Sequence, residues 1–320
     1  MFNNFDQEPN DFVMSNEEIK SHKNVFSKLC ISLLAYLFIS SAISVAVQYL
    51  LAAVSPNLLA DYNFTLIVSS IIQYGIGFPI FWALVRKMPK RAPFPNKIGV
   101  KKILKYAFIS SFVMFVGSYI SAYLMLYVEQ LMGNTPENSV SEILDNTNII
   151  VSIVITGIIG PIFEELMFRK FFIDRLTPYG EATAIFFPAL IFALFHGNLY
   201  QFFYAFFIGA FFSYIYLRTG KIIYTIALHI FVNLFFGVLV SWIASIPNPD
   251  IYLLIFELVY YGLISAGLFF FVRSIRNVVL SKGTVRFPKG VSSEVIFLNS
   301  GTIAFIAICL ILTAFNTFLM

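Results

Sequence analysis

The sequence predicts an all-α protein, a polytopic bundle of eight or nine transmembrane helices. Three observations predict it. Of the 320 residues 59% are hydrophobic and only 12% charged, with a mean hydropathy of +0.82, and a soluble domain carries roughly twice that charged fraction. The apolar residues gather into runs of roughly 17–25, the length that crosses a bilayer. The connectors between those runs alternate between basic and free of Lys and Arg.

The runs fall at Phe26–Val54, Phe64–Val85, Ile103–Met132, Ile149–Phe172, Ala182–His196, Tyr200–Leu217, Ile222–Ala244, Ile251–Val272 and Val295–Phe318. One set of connectors holds Lys20, Lys23 and Lys28, the cluster from Arg86 to Lys105, then Arg169, Lys170 and Arg175, then Arg218 and Lys221, and finally Arg273 to Lys289. The other set, Ser55–Asn63, Glu129–Thr147, Gly197–Asn198 and Ser245–Asp250, holds no Lys or Arg. Positively charged connectors stay in the cytoplasm, so the N-terminus is expected there and, with nine spans, the C-terminus outside.

The polar, acidic start of the chain (Asp6, Glu8, Asp11, Glu17, Glu18) lacks the basic end and short apolar run of a signal peptide, and reads as a solvated cytoplasmic tail over 1–24. Both cysteines, Cys30 and Cys309, lie in apolar runs, which leaves no disulfide framework. The net charge of +4 does not point to nucleic acid, because the basic residues sit between the spans as topology signals. The partner these features point to is the lipid bilayer. No repeat of roughly 20–50 residues stands out. Gly, Ser and Ala recur within the runs (Ser40, Ser44, Gly75, Gly77, Ser110), as close helix packing in lipid requires.

The chemistry gathers in one third of the chain. "PIFEELMFRKFF" puts Glu164 and Glu165 where a charged side chain costs about 3 kcal/mol on insertion scales. Glu165 and Arg169 are four apart and share a helix face, which makes them a structural ion pair; Glu164, rotated by about 100°, is left free. Gly157, Gly160 and Pro161 weaken the helix upstream, a break tolerated where backbone lines a wet cavity. The plainer reading is that the two glutamates mark the cytoplasmic end of a helix.

Two of the three histidines weigh against that plainer reading. His22 lies in the tail and reads as incidental, whereas His196 and His229 interrupt apolar helices and need polar partners. Asn233 follows His229 at i+4, on the same face. Glu164 and His229 are expected one to two turns below the cytoplasmic surface and Asn233 one turn deeper, with His196 deeper still. A carboxylate can take a proton from water, a histidine can orient that water or bind a metal, and a second histidine with an amide can donate to an oxyanion. Such a set suits hydrolysis.

"EELMFR" (Glu164–Arg169), "FALFH" (Phe192–His196) and "HIFVN" (His229–Asn233), in this order on three helices, resemble the EExxxR, FxxxH and HxxxN motifs of the CPBP family. These are the CAAX prenyl endopeptidases and the bacteriocin-processing and self-immunity (Abi) proteins. The resemblance covers about Ile149 to Leu239. It divides the chain into the tail, N-terminal helices over 25–147, a catalytic core over 148–240 and C-terminal helices over 241–320. It implies an intramembrane endopeptidase of the cell membrane whose cavity faces the cytoplasm. By matching positions Glu164 is the general base, His196 its partner on the water, His229 and Asn233 the oxyanion hole, and Glu165 with Arg169 the supporting pair.

No cofactor is required by this scheme. Glu164, His196 and His229 could instead supply three ligands to zinc and leave one position open. The metal-free form is favoured because Asn233 beside His229 suits a donor pair better than a ligand set. The alternative function is a non-proteolytic self-immunity factor or a regulator of a membrane sensor. A proton-coupled transporter would show inverted repeats, and none is visible. Glu257, the one stray carboxylate in a C-terminal span, is expected to make a buried hydrogen bond.

Overall fold

The computed structural model describes residues 14–133, 136, 138–288 and 290–318. Among them every regular element is helical, and eight helices are long and apolar enough to span a membrane. We label them, with the shorter helices, in chain order: α1 Asn16–Val54, α2 Tyr62–Val85, α3 Val100–Met132, α4 Ser139–Asn146, α5 Ile149–Tyr179, α6 Glu181–Phe195, α7 Leu199–Thr219, α8 Ile222–Ala244, α9 Asp250–Ile275, α10 Val291–Phe297 and α11 Ser300–Phe318. Helix α6 is a shorter apolar helix of 15 residues. It pairs with α7 as a hairpin and is shorter than the eight, so of the eight or nine spans expected eight are long enough to cross.

Polar residues at the chain turns set the helix ends. Ser15 and Glu18 form a reciprocal cap on α1, and Asp61, Asn138, Asn148 and Asn198 each accept backbone N–H groups that would otherwise be unpaired. The α6–α7 turn closes through Gly197 at φ +63°. At the opposite end of that hairpin Arg218 forms a two-pronged pair with Glu181, at 2.6 and 2.8 Å. The tail expected over 1–24 lies outside the described residues up to 13; from Asn16 it is already α1, and Lys23 reaches Glu294 at 2.6 Å. His22 packs in this corner, with Nδ1 at 2.9 Å from the Tyr179 hydroxyl.

Helix α5 continues past Phe172, where the apolar run was expected to end. The charges there do not stop it because each finds a partner. Asp174 accepts from Lys170 at 2.9 Å and from the Tyr216 hydroxyl at 2.7 Å, and Arg175 donates to the backbone carbonyls of Val85 and Phe171. Nor does Pro161 break α5. The turn before it, Ile153–Ile159, is wound as a π-helix, and a second wide turn spans Leu166–Ile173. Wide turns absorb the missing backbone bond and rotate the following residues relative to a regular helix.

Helix α8 carries a matching π-turn over Asn233–Val238, packed against that of α5. Helices α3, α7 and α6 stack side by side, while α1 lies between α2 and α11. Gly117 lets α3 touch α7: a Cβ there would stand 2.7 Å from the Tyr204 backbone nitrogen. Helix α9 leans on α3 with most of its surface open, and Glu257 is exposed on it rather than buried as expected.

Candidate active site

Glu165 is fully buried, and its Oε1 holds two partners: Arg169 at 3.2 Å and His229 Nδ1 at 2.9 Å. The Arg169 guanidinium also lies over the Phe192 ring, 4.6 Å from its centre, and its remaining N–H groups have no hydrogen-bond partner among the described residues. The ion pair expected from i+4 spacing is present. Its third member, His229, was not foreseen. Sequence spacing could not show it, because the contact crosses from α5 to α8; the signal was only that a histidine in an apolar helix must find an acceptor.

Glu164 and Glu165 share the regular turn Gly160–Glu165, and the step of about 100° between them leaves Glu164 on a different side of α5. Its Oε2 stands 3.5 Å from His229 Nε2, so His229 is bracketed by both carboxylates. A carboxylate only accepts; with Nδ1–H donated to Glu165, Nε2 can donate only when the ring carries its second proton. His196 caps the end of α6 and gives its Nδ1–H to the Phe192 carbonyl at 2.8 Å. That leaves Nε2 bare, an acceptor for a water proton. Asn233 donates one amide hydrogen to the Thr156 carbonyl at 3.0 Å, where the wide turns of α5 and α8 meet, and keeps a second.

Glu164, His196, His229 and Asn233 line one cavity of about 200 Å³. Gln73, Tyr74, Gln201 and Tyr204 line it too, and sequence reasoning passed over all four. Gln201 lies just beyond a turn read only as a Lys/Arg-free connector; its side chain accepts from Asn198 at 2.6 Å and donates to Tyr204 at 2.7 Å. Tyr74 stacks on Phe163, ring centres 4.6 Å apart, beside Glu164. A polar residue inside an apolar run was the available signal.

Through Thr156, Gln201, Tyr204 and Asn233 this inner chamber adjoins a wider cavity of about 670 Å³. The wider cavity runs between α3, α4, α7 and α8 toward Glu129, Asp145 and Ala244, the ends that carry no Lys or Arg. On the basic side of the cluster Phe168, Arg169, Phe172, Phe212 and Tyr216 are at most 1% exposed and close the bundle. A cavity facing the cytoplasm was expected; the wider cavity reaches toward the ends that carry no Lys or Arg, while large aromatic side chains of α5 and α7 fill the basic half.

Three ligands were considered for zinc. Among the described residues no three His, Cys, Asp or Glu side chains gather into a metal-holding group. As placed, Glu164, His196 and His229 do not form a zinc centre.

The polar cluster is sunk in an all-helical bundle of membrane-spanning length, and two comparisons bear on its class. Residues 146–235, which contain every residue of the cluster on α5 to α8, match the family model described as type II CAAX prenyl endopeptidase Rce1-like. A Bacillus subtilis (strain 168) protein named "Putative membrane peptidase YdiL" is 28% identical over 174 residues, covering 52% of this chain and 68% of that protein. No solved structure matches. Both findings support the CPBP resemblance of the three motifs, and with it a membrane protease.

Proposed function

We propose that this protein is an intramembrane endopeptidase that hydrolyses a peptide bond of a membrane-associated peptide or protein by a metal-free, glutamate-activated water. The observation that carries the proposal is the convergence of Glu164, His196, His229 and Asn233, from α5, α6 and α8, on one chamber. Glu164 takes a proton from water while the bare Nε2 of His196 holds the water's other hydrogen, and the oxygen attacks the scissile carbonyl. Negative charge develops on the carbonyl oxygen. The free amide hydrogen of Asn233 donates to it, joined by His229 when its Nε2 is protonated. Glu164 then returns its proton to the departing nitrogen as the C–N bond breaks, giving a carboxylic acid and an amine. Glu165, held by Arg169, orients His229 through Nδ1.

The test is cleavage of membrane-embedded peptides by purified protein, with metal content measured alongside. Glu164→Gln should fold and lose at least ~10²-fold in rate, and exhaustive chelation should leave the wild-type rate intact. One zinc per chain with activity restored only by zinc would overturn the metal-free scheme. A wild type that cleaves nothing while still protecting cells from a bacteriocin would favour the self-immunity alternative.

A further inference from the structure

We propose that Tyr204 is a further catalytic residue of this site: its phenolic O–H, aimed by Asn198 and Gln201, donates to the scissile carbonyl oxygen alongside Asn233. This rests on the hydrolytic reading above and deepens it. The residues read from sequence leave the developing oxyanion short of donors. Asn233 keeps one free amide hydrogen, because the other goes to the Thr156 carbonyl at 3.0 Å. His229 gives its Nδ1–H to Glu165 at 2.9 Å, so its Nε2 donates only when the ring carries a second proton. An oxyanion has room for more than one standing donor.

The direction of the Tyr204 hydrogen follows from the cap of its own helix. Asn198 is the N-cap of α7, and its Oδ1 accepts the Gln201 backbone N–H at 2.8 Å. The other arm of that amide is therefore the nitrogen, which donates to Gln201 Oε1 at 2.6 Å and to the His196 carbonyl at 3.3 Å. With Oε1 accepting, the arm of Gln201 that meets Tyr204 is Nε2, and it donates to the hydroxyl oxygen at 2.7 Å. A phenol that accepts still has its own hydrogen to give, and among the described residues no acceptor receives it. Asn198 and Gln201 are thus positioning residues that act through Tyr204.

A bound peptide supplies the acceptor. Tyr204 lines the chamber of about 200 Å³ with Glu164, His196, His229 and Asn233, and its ring centre lies 6.5 Å from that of His196. In the scheme above Glu164 and His196 take the hydrogens of the attacking water, which leaves the peptide carbonyl to accept from the phenol. Tyr204 and Asn233 both border the wider cavity as well. A donor from α7 and a donor from α8 therefore stand where the two cavities join.

Steady-state kinetics of the purified, reconstituted protein tests this. The probe is a quenched-fluorophore library of membrane-partitioning peptides, with kcat and KM taken on one cleaved member. Tyr204→Phe removes the hydroxyl and keeps the ring. It should elute as folded protein and lose at least ~10-fold in kcat with KM nearly unchanged, since the bond strengthens in the transition state. Gln201→Glu keeps both hydrogen bonds made by that side chain but reverses the second: the phenol donates to the introduced carboxylate, and its hydrogen is lost to the substrate. A similar fall in kcat is expected, and the two substitutions together should be no worse than either alone. Wild-type kcat in Tyr204→Phe, or a rise in KM alone, would overturn the proposal. Unchanged kcat in Gln201→Glu would overturn it too, even were Tyr204→Phe to fold poorly. Losses that multiply in the double variant would overturn the part given to Gln201. A wild type that cleaves no peptide would overturn the hydrolytic reading itself, and this role with it.

Discussion

Glu164 and Glu165 are chemically identical neighbours with different surroundings, and their substitutions should separate accordingly. Glu164 faces the chamber and one imidazole edge, so Glu164→Gln keeps shape and hydrogen bonding while removing the base. Glu165 neutralises the buried Arg169 and holds His229. Breaking a buried ion pair by removing one partner costs about 3–5 kcal/mol because the other charge stays unpaired. Glu165→Ala should therefore lower the folded yield and melting temperature in detergent, read by size-exclusion and thermal unfolding. Equal activity loss with equal stability in the two variants would erase the distinction. Asn233→Ala should reduce kcat by ~10²-fold with KM nearly unchanged, as for removal of one oxyanion donor. His196→Ala combined with Glu164→Gln should be little worse than either alone, since both act on the same water.

Helices α5 and α8 show how an element with proline and glycine inside it serves the site. Glu164 and Glu165 keep the regular step of about 100° within the turn Gly160–Glu165, which puts one carboxylate toward the chamber and the other toward Arg169. The wide turns on both sides of that turn absorb the proline and set how it meets α8. The asparagine that holds α8 to α5, Asn233, sits at the start of α8's own wide turn. Close crossings elsewhere position the remaining wall. Gly117→Ala would place a methyl group 2.8 Å from the Phe203 carbonyl oxygen, forcing α3 and α7 apart. Overpacking of this kind costs about 1–3 kcal/mol. A drop in melting temperature together with weakened peptide binding is expected, because Tyr204 at that crossing lines both cavities. Unchanged melting would mean that the crossing relaxes freely.

Across the whole molecule the charged residues divide by face. Lys and Arg gather at one end of the bundle, where Lys170, Arg175 and Arg218 also bind carboxylates or backbone carbonyls that hold helix ends together. Nine crossings follow if the short α6 traverses with the eight longer helices. A reporter fused after Phe318 should then read extracytoplasmic, and one inserted after Lys90 cytoplasmic; matching signals from both would require α6 to turn back within the membrane.

Hydropathy and charge alternation sufficed for the helical bundle, its spans and the candidate cluster. Apolar run length and connector charge are local quantities, and lipid demands helices whatever the packing. The i+4 spacing of Glu165 and Arg169 and of His229 and Asn233 is likewise local, and the motifs on α5, α6 and α8 could be read in order along the chain. Tertiary structure alone decided the rest. That Glu165 bonds His229 depends on α5 meeting α8, and that α5 runs on to Tyr179 depends on Asp174 finding Tyr216 across 42 residues of sequence. The half of the bundle that holds the wide cavity is likewise decided by packing. Phe168, Phe172 and Phe212 look in sequence like the phenylalanines of any other span, and only their convergence on one half of the bundle fills that half and leaves the wide cavity to the other.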